Sequence, residues 1–282
     1  MEKQRGCLVL RTVRNLTPDD VPSTLELSAA ANWNQTAEDW YRILHLSPDG
    51  CRCIEDAGNV VTTTTLLPYG TRLAWIGMVL TSLDYRRQGL ARKLIEDALA
   101  FAERHGIRTL KLDATDEGRP LYESLGFVVE KQIERWGRDS KQANSTKNGD
   151  QLHVLSEELY RLDAEAFGAS RKELLQLLSN AGSCDAASDG FVFSRAGRAA
   201  HYLGPCVSKS EPTANRLIAA HLEAAISANR WCWDLLPSNR EAVHCAESLG
   251  FTCRRTLWRM RRGEVMENND AMVYAIAGFE LG

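Results

Sequence analysis

The sequence predicts a mixed α/β protein with two lobes, each built from strands of a mixed sheet and helices packed against them. Three observations carry this prediction. The length of 282 residues favours two domains over one. A polar segment, RDSKQANSTKNGDQ at residues 138–151, is typical of a linker. Similar strings then follow one another in the same order on both sides of that segment, which indicates an internal duplication.

The duplication is visible in short strings. ESLGF occurs at residues 123–127 and again at 247–251. WIGMVL at 75–80 is matched by YLGPCV at 202–207, and a pattern typical of an amphipathic helix follows each. The predicted domains are a first lobe at 1–138, a linker at 139–151 and a second lobe at 152–282.

Local patterns predict the elements at the start of the first lobe. Thr17 followed by Pro18 is typical of a helix start. Thr36 and Asp39 have the spacing of a capping box, and the run VVTTTTLL has the β-branched residues that favour a strand. The predicted elements are a strand at 7–14, a helix after Thr17, a helix at 36–46, and a hairpin of strands at 51–55 and 59–67.

The remaining elements of the first lobe alternate between strand and helix. Gly106 ends the longest predicted helix. The second lobe is expected to repeat most of the order, to hold a sheet of its own, and to add an apolar strand at 271–281. The elements predicted in the first lobe are a strand at 72–81, a helix at 89–105, a strand at 107–113, a short helix at 118–125 and a strand at 126–136.

Composition excludes several classes of protein. The formal net charge is −3, so the chain lacks the basic excess that nucleic-acid binding requires. No run approaches the roughly 18 apolar residues of a membrane span, and no signal-peptide core is present. We therefore expect a cytoplasmic protein with no nucleic-acid or membrane partner. The eight cysteines are scattered without a C-x-x-C pair, so buried free thiols and no metal site are expected.

The most informative segment is VLTSLDYRRQGLARKLIEDAL at residues 79–99. A strand ends there, a loop with Arg86 and Arg87 follows, and a helix begins after Gly89. The glycine lets the backbone approach a ligand closely. Free N–H groups at the helix start and the two arginines together predict an anion site. The loop matches neither the Walker pattern nor G-x-G-x-x-G.

These residues resemble the GNAT superfamily of acyl-CoA-dependent N-acetyltransferases. Arg86, Gly89 and Ala91 stand where that family's R/Q-x-x-G-x-G/A signature contacts the pyrophosphate of CoA. RPLYESLGF at 119–127 resembles its helix that carries a tyrosine before a Gly-Phe strand start. The likeness covers about residues 7–136, and the whole chain resembles a two-lobed subfamily with a degenerate second GNAT-like lobe.

The resemblance implies that acetyl-CoA is the acyl donor. Its pantetheine arm is expected to pair with strand backbone as an extra strand, and its pyrophosphate to meet backbone N–H groups and arginines. The residues implied to bind it are Val79, Leu80, Thr81, Arg86, Arg87, Gln88, Gly89, Leu90, Ala91 and Arg92.

The resemblance also implies transfer of the acetyl group to a primary amine of a small molecule or peptide, with no metal. Tyr122 is implied as the acid that protonates the departing thiolate. Asp113 is the first candidate for the base, with Glu117 and His45 as alternatives. The residues expected to border the acceptor pocket are Trp33 and Asn34.

The second lobe departs from the family pattern. Pro212 aligns with Gly89, and Ala246 aligns with Tyr122. A proline donates no N–H group, so the corresponding loop is a poor phosphate cradle. We expect this lobe to complete the acceptor pocket instead. The alternative function is a non-catalytic acyl-CoA-binding sensor or scaffold protein; the acceptor, the acyl chain preference and the oligomeric state stay open.

Overall fold

The computed structural model describes residues 11–139, 155–224 and 229–282. The start of the predicted first strand (7–10), Cys7 and all but the first residue of the predicted linker lie outside these ranges. The elements before the linker are β1 (Val13–Asn15), α1 (Val21–Ala30), α2 (Ala37–Leu46), β2 (Arg52–Asp56), β3 (Asn59–Tyr69), β4 (Leu73–Thr81), α3 (Leu90–Arg104), β5 (Thr109–Ala114), α4 (Arg119–Glu123) and β6 (Val128–Asp139).

The elements after the linker repeat much of this order. They are α5 (Glu157–Phe167), α6 (Lys172–Ala181), β7 (Ser183–Ala187), β8 (Gly190–Arg195), β9 (His201–Ser208), α7 (Glu211–Ala224), β10 (Arg230–Leu235), α8 (Arg240–Ser248), β11 (Thr252–Gly263) and β12 (Val273–Ala275). Short 3₁₀ turns precede α1, α3 and β12.

Local sequence signals explain how α2 begins. The Thr36 hydroxyl accepts a hydrogen bond from the Asp39 N–H at 3.4 Å, and the Asp39 carboxylate accepts one from the Thr36 N–H at 2.9 Å. This reciprocal capping box satisfies backbone donors that a helix start leaves free. The predicted capping box is therefore confirmed.

The cysteines are thiols rather than bridges. All seven cysteines in the described ranges are free, and six of them are buried. Burial of the thiol raises the pKa of Cys51 and Cys53 to about 12. These side chains therefore pack as small apolar groups.

The strands form one sheet across both lobes, so the expectation of a separate sheet in each lobe is wrong. The strand order is β1-β2-β3-β4-β5-β11-β6-β10-β9-β8-β7, with β12 paired to β9. The last long strand of each lobe is exchanged, because β11 pairs with β5 and β6 pairs with β10. The two exchanged strands also pair with each other, so neither is left as an open edge.

Two equivalent ion pairs accompany this exchange. Arg259 on β11 faces Asp113 on β5 and donates two hydrogen bonds to its carboxylate, at 2.9 and 3.0 Å. Arg135 on β6 faces Asp234 on β10 in the same way, with both hydrogen bonds at 2.6 Å. Bidentate pairs of this kind are strong, and they also fix the relative orientation of the two side chains. Each exchanged strand is thus tied to the other lobe by an arginine whose partner carboxylate is fully buried.

The repeated tryptophans show the same exchange in the core. Trp136 follows the first ESLGF string but packs in the core of the second lobe, in one cluster with Trp233 and Phe251. Trp258 follows the second string and packs against the cluster of the first lobe that contains Phe127. Each core is therefore completed by a side chain from the other lobe.

The C-terminal segment is shorter as a strand than the predicted 271–281. Only Val273–Ala275 pairs, and the chain then crosses to the first lobe as a tail of residues 276–282. The Trp75 indole N–H donates to the Phe279 carbonyl at 2.8 Å, and the Tyr69 hydroxyl donates to the Leu281 carbonyl at 2.7 Å. Side-chain donors take the place of a strand partner along the tail, so the strand prediction fails there.

A buried charge cluster joins three separate parts of the chain. Arg195 on β8 contacts the carboxylates of Asp39 and Glu280, each at 3.1 Å. Arg42 contacts Asp39 from the same helix at 2.7 Å. Burial opposes ionisation of Asp39, but the charges of Arg195 and Arg42 outweigh it and hold the pKa of its carboxyl below the usual value. Arg195 therefore ties α2 and the tail to the second lobe.

We predict that Arg195→Met lowers the free energy of unfolding by about 3–5 kcal/mol, because Asp39 and Glu280 stay buried while they lose a partner. Thermal unfolding measures the change, expected to be roughly 10 °C for a chain of this size. Arg161→Met is the matched control, since Arg161 is exposed on α5. Equal midpoints for the two variants would contradict a stabilising role for the cluster.

Candidate active site

The first feature of the site is a gap in the sheet between β4 and β5. These parallel strands pair over only three residues each, Leu73–Trp75 of β4 with residues 109–111 of β5. A bulge follows in β4, where Thr63 faces Leu80 but Thr65 faces Gly77, which leaves one extra residue on β4. Met78 lies within this bulge and has a φ of 47°. Bulges bend a strand, so β4 turns away from β5 and leaves backbone groups open to a ligand.

The second feature is the turn between β4 and α3. Gly89 has a φ of 77° and is the N-cap of α3. A Cβ atom on Gly89 would meet nothing within 4 Å, so open space lies beside the turn. The N–H groups of Leu90, Ala91 and Arg92 form the first turn of the helix, where no intrahelical acceptor is available. With the macrodipole, these donors form an anion site.

Gap and turn open into one cleft of about 590 Å³. Most of the site residues predicted from the sequence line it: Trp33, Val79, Leu80, Thr81, Arg86, Arg87, Gly89, Leu90, Ala91, Arg92, Asp113 and Tyr122. Gln88 does not line the cleft, because its amide accepts from Arg11 at 2.7 Å and donates to the Asp84 carbonyl at 3.0 Å.

Tyr122 lies on α4 in the wall of the cleft. Its ring packs edge-on against Phe127, with the ring centroids 6.0 Å apart. Burial raises the pKa of the Tyr122 phenol, so the group is protonated at neutral pH. Its hydroxyl makes no hydrogen bond to any residue that the structure describes. The phenol is therefore a proton donor without a competing partner among the described residues.

The three candidate bases have different surroundings. Both carboxylate oxygens of Asp113 are engaged by Arg259, and burial raises the pKa of Asp113 against the opposing charge of that arginine. Glu117 lies at the rim of the cleft, 3.9 Å from Arg86, with a largely exposed side chain. His45 is exposed near the end of α2 and does not line the cleft.

The side chains of Trp33 and Asn34 line different cavities in the structure. Trp33 contributes to the cleft wall. Asn34 instead holds the loop before β9: its amide donates to the Ala200 carbonyl at 2.9 Å and accepts from the Ala199 and Ala200 N–H groups. Asn34 lines a smaller cavity at the junction of the lobes rather than the main cleft.

The exchanged strands and the tail also line the cleft, and sequence reasoning did not single out their residues. Those residues are Arg135 on β6, Arg255 and Leu257 on β11, and Phe279 and Glu280 in the tail. The Phe279 ring lies between two of the arginines, with the guanidinium carbons of Arg135 and Arg255 at 4.4 and 5.3 Å from its centre. The one sequence signal that could have pointed to these residues was Glu280, a single acid in the otherwise apolar segment AIAGFELG at 275–282.

Gln35 and Glu280 form a polar patch in an otherwise apolar part of the cleft. The Gln35 amide donates to the Glu280 carboxylate at 3.0 Å. The Gln35 carbonyl oxygen is buried and has no partner within the described ranges. Burial raises the pKa of Glu280 against the opposing charge of Arg195. This patch presents acceptor oxygens beside the gap between β4 and β5.

The second lobe contains the same gap, and the chain itself fills it. β9 and β10 pair only at 201–203 and 231–233, and β9 has a bulge at the position equivalent to that of β4. β12 pairs with the freed part of β9, and the Ile276 N–H donates to the Asp234 carbonyl at 3.0 Å. The equivalent gap is therefore closed by the chain's own backbone.

The described residues contain neither of two other features, a metal-binding cluster and a membrane-spanning helix. No group of three or more His, Cys, Asp or Glu residues within 11–139, 155–224 and 229–282 is arranged to hold a metal ion. No helix in the same ranges is both long and apolar enough to cross a membrane.

Comparison with known proteins supports the fold and the duplication. The family model described as "Acetyltransferase (GNAT) family" matches residues 14–127, and the one described as "Acetyltransferase (GNAT) domain" matches residues 159–275. A Pyrococcus horikoshii protein of known crystal structure has a TM-score of 0.84 at 21% identity, over 100% of this chain and 99% of that one. A tandem GNAT protein from the clavulanic acid biosynthesis pathway has a TM-score of 0.64 at 16% identity, over 89% and 98%.

One curated relative is similar in sequence. The uncharacterized N-acetyltransferase YitH of Bacillus subtilis (strain 168) is 29% identical over 174 residues, which span 60% of each protein. The fold, the cleft and the two matched models define a two-lobed acyltransferase architecture. The chain belongs to the GNAT acetyltransferase family, with one GNAT domain in each lobe.

Proposed function

We propose that the protein is an N-acetyltransferase that moves an acetyl group from acetyl-CoA to a primary amine of a small molecule or peptide. The observation that carries the proposal is the gap between β4 and β5, with the Gly89 turn at one end and the Tyr122 hydroxyl in its wall. A chain of amide groups fits an open strand edge, and a pyrophosphate fits a helix start.

The residues present fit acetyl-CoA. The backbone of Val79, Leu80 and Thr81 offers the strand edge, and the N–H groups from Gly89 onward offer the anion site. Arg86, Arg87 and Arg92 add positive charge at the same end of the cleft. The donor supplies an acyl group activated as a thioester. The protein supplies the binding, the orientation and the proton transfers.

In this proposal the Tyr122 phenol gives a proton to the departing thiolate. Asp113 stays a candidate for the base, but it must first release Arg259, with which it holds two hydrogen bonds. The lobe at 1–138 binds the donor in the cytoplasm, and the lobe at 152–282 completes the acceptor end through its exchanged strand and its tail.

We predict that Gly89→Asp abolishes binding of acetyl-CoA, because a carboxylate there repels the pyrophosphate. A Cβ atom at position 89 would meet nothing within 4 Å, and aspartate and asparagine share the same backbone strain at a φ of 77°. Gly89→Asn is the matched control, with the same shape and no charge. Thermal shift with acetyl-CoA, desulfo-CoA and ATP measures binding, since a hundredfold excess over Kd adds about 2.7 kcal/mol. Equal shifts in wild type and Gly89→Asp would overturn the proposed site.

The next prediction concerns the number of acetyl-CoA molecules that bind to each chain. Because β12 fills the gap in the second lobe, we expect one molecule of acetyl-CoA to bind per chain. Isothermal titration calorimetry measures this number directly. A stoichiometry of two would mean that β12 leaves β9 and that the second lobe binds the donor as well.

The third prediction separates catalysis from binding alone. Tyr122→Phe is expected to lower kcat by about ten- to a hundredfold, equivalent to roughly 1.4–2.7 kcal/mol of barrier, with unchanged affinity for acetyl-CoA. Release of the CoA thiol in the presence of primary amines measures the rate. Tyr41→Phe is the control, since Tyr41 is 48% exposed. A wild type that binds acetyl-CoA but releases no thiol would favour the sensor or scaffold instead.

A further inference from the structure

We propose that Glu280, in the tail of residues 276–282, is the base that takes the proton from the acceptor's ammonium group. This inference rests on the proposed function, because it assigns a residue to the same cleft. It follows from the position of the tail, from the polar groups around the carboxylate and from the state of the other candidate carboxylates.

The position of Glu280 is fixed by close backbone contact. A Cβ atom on Gly77 would lie 2.8 Å from the Glu280 Cα and 2.9 Å from its carbonyl oxygen. Only a glycine at this point of β4 therefore allows the tail to lie against the strand. Gly77 is directly before Met78, where the bulge turns β4 away from β5. Glu280 is thus seated where the acyl group is expected.

The Glu280 side chain is only 4% exposed, and each of its carboxylate oxygens has a partner in the protein. One oxygen accepts from Gln35 at 3.0 Å, and the other contacts Arg195 at 3.1 Å. Each carboxylate oxygen has two lone pairs, so both can accept another hydrogen bond. The buried Gln35 carbonyl has no partner among the described residues. An ammonium group would supply the donors that these oxygens lack.

Asp113 has an equivalent in the second lobe that argues for a structural role. Asp113 faces Arg259, and Asp234 faces Arg135, in the same cross-strand arrangement. β12 and Ile276 fill the gap beside Asp234. The Asp234–Arg135 ion pair therefore serves the strand exchange rather than a reaction. The same pair in the first lobe needs no other explanation. Glu280 is free of such a bidentate pair.

The proton transfers balance with Glu280 as base. Glu280 accepts one proton from the ammonium group, directly or through one water, and later returns it to solvent. The free amine then forms the N–C bond to the carbonyl carbon as the C–S bond breaks. The nitrogen loses a second proton as Tyr122 gives one to the thiolate sulfur, and Tyr122 regains that proton from the nitrogen. The products are the N-acetyl amine, the CoA thiol and one released proton.

The surroundings of Glu280 determine the pH at which it acts. Because its pKa is raised above the value of an ordinary glutamate, the ionised fraction falls as pH drops through that raised pKa. The rate should fall with it. The charged and titratable groups that face Glu280 are Asp39 on α2, Tyr69 on β3, Arg135 on β6, Arg195 on β8, Tyr202 on β9 and Cys232 on β10.

A labelling experiment tests the position without a known acceptor. Bromoacetyl-CoA carries an electrophilic carbon at the acyl position, and a carboxylate oxygen displaces its bromide to form an ester. We expect mass spectrometry to find the label on Glu280 in the wild type and in Asp39→Asn, and none in Glu280→Gln. Asp39→Asn is the matched control, because Asp39 shares Arg195 but does not line the cleft.

The site of the label separates the possible outcomes. A label on Asp113 or Glu117, or no label although bromoacetyl-CoA competes with acetyl-CoA, would overturn the inference and leave the proposed function intact. Failure of bromoacetyl-CoA and acetyl-CoA to bind at all would overturn the proposed function and this inference with it.

Kinetics with a panel of polyamines, amino acids, amino sugars and short peptides test the role. Glu280→Gln is expected to lower kcat/KM for any accepted amine by about 10²–10³-fold, to leave the Kd of acetyl-CoA unchanged, and to remove the fall in rate at low pH. Asp39→Asn should keep that fall. Equal losses in both variants, or an unchanged low-pH fall in Glu280→Gln, would reduce Glu280 to a structural member of the charge cluster.

Discussion

Backbone pairing between the exchanged strands β6 and β11 is the constraint on which the rest of the molecule depends. These strands pair with each other and bring β5 and β10 into one sheet. The two cross-strand arginines add bidentate contacts at equivalent positions. Without the exchange, each lobe would end in an unpaired edge. The exchange also places Arg135 and Leu257 in the wall of the cleft, so the acceptor end of the site belongs to both lobes.

Each of the two duplicated lobes contains a gap between parallel strands, but the chain itself fills only the gap of the second lobe. In both lobes a bulge turns one strand away from its parallel neighbour, so the geometry that admits a ligand is present twice. β12 and Ile276 fill the gap of the second lobe with the chain's own amide groups. The tail then reaches Gly77 at the gap of the first lobe without filling it. The same segment therefore closes one site and furnishes a wall of the other.

Local signals made much of the first lobe predictable. The capping box at Thr36 and the Gly89 turn each depend on residues a few positions apart, which a sequence displays directly. Strand exchange was not predictable, because β6 and β11 follow the same ESLGF string and a period-2 pattern does not specify which sheet a strand joins. Nor was Asn34, whose partners lie about 165 residues away. The sequence showed Glu280 only as a lone acid in an apolar segment, because its position in the cleft depends on contact with Gly77.

The buried charge cluster bears on why the tail carries an acid at position 280. Burying Asp39, Glu280, Arg42 and Arg195 costs desolvation energy that their mutual attraction only partly returns, and apolar residues of similar volume often stabilise such a position equally well. Stability alone therefore gives little reason for an acid at position 280. A role as the proposed base gives a stronger one, because Glu280 lines the cleft and Arg195 partly offsets the cost of burying its charge.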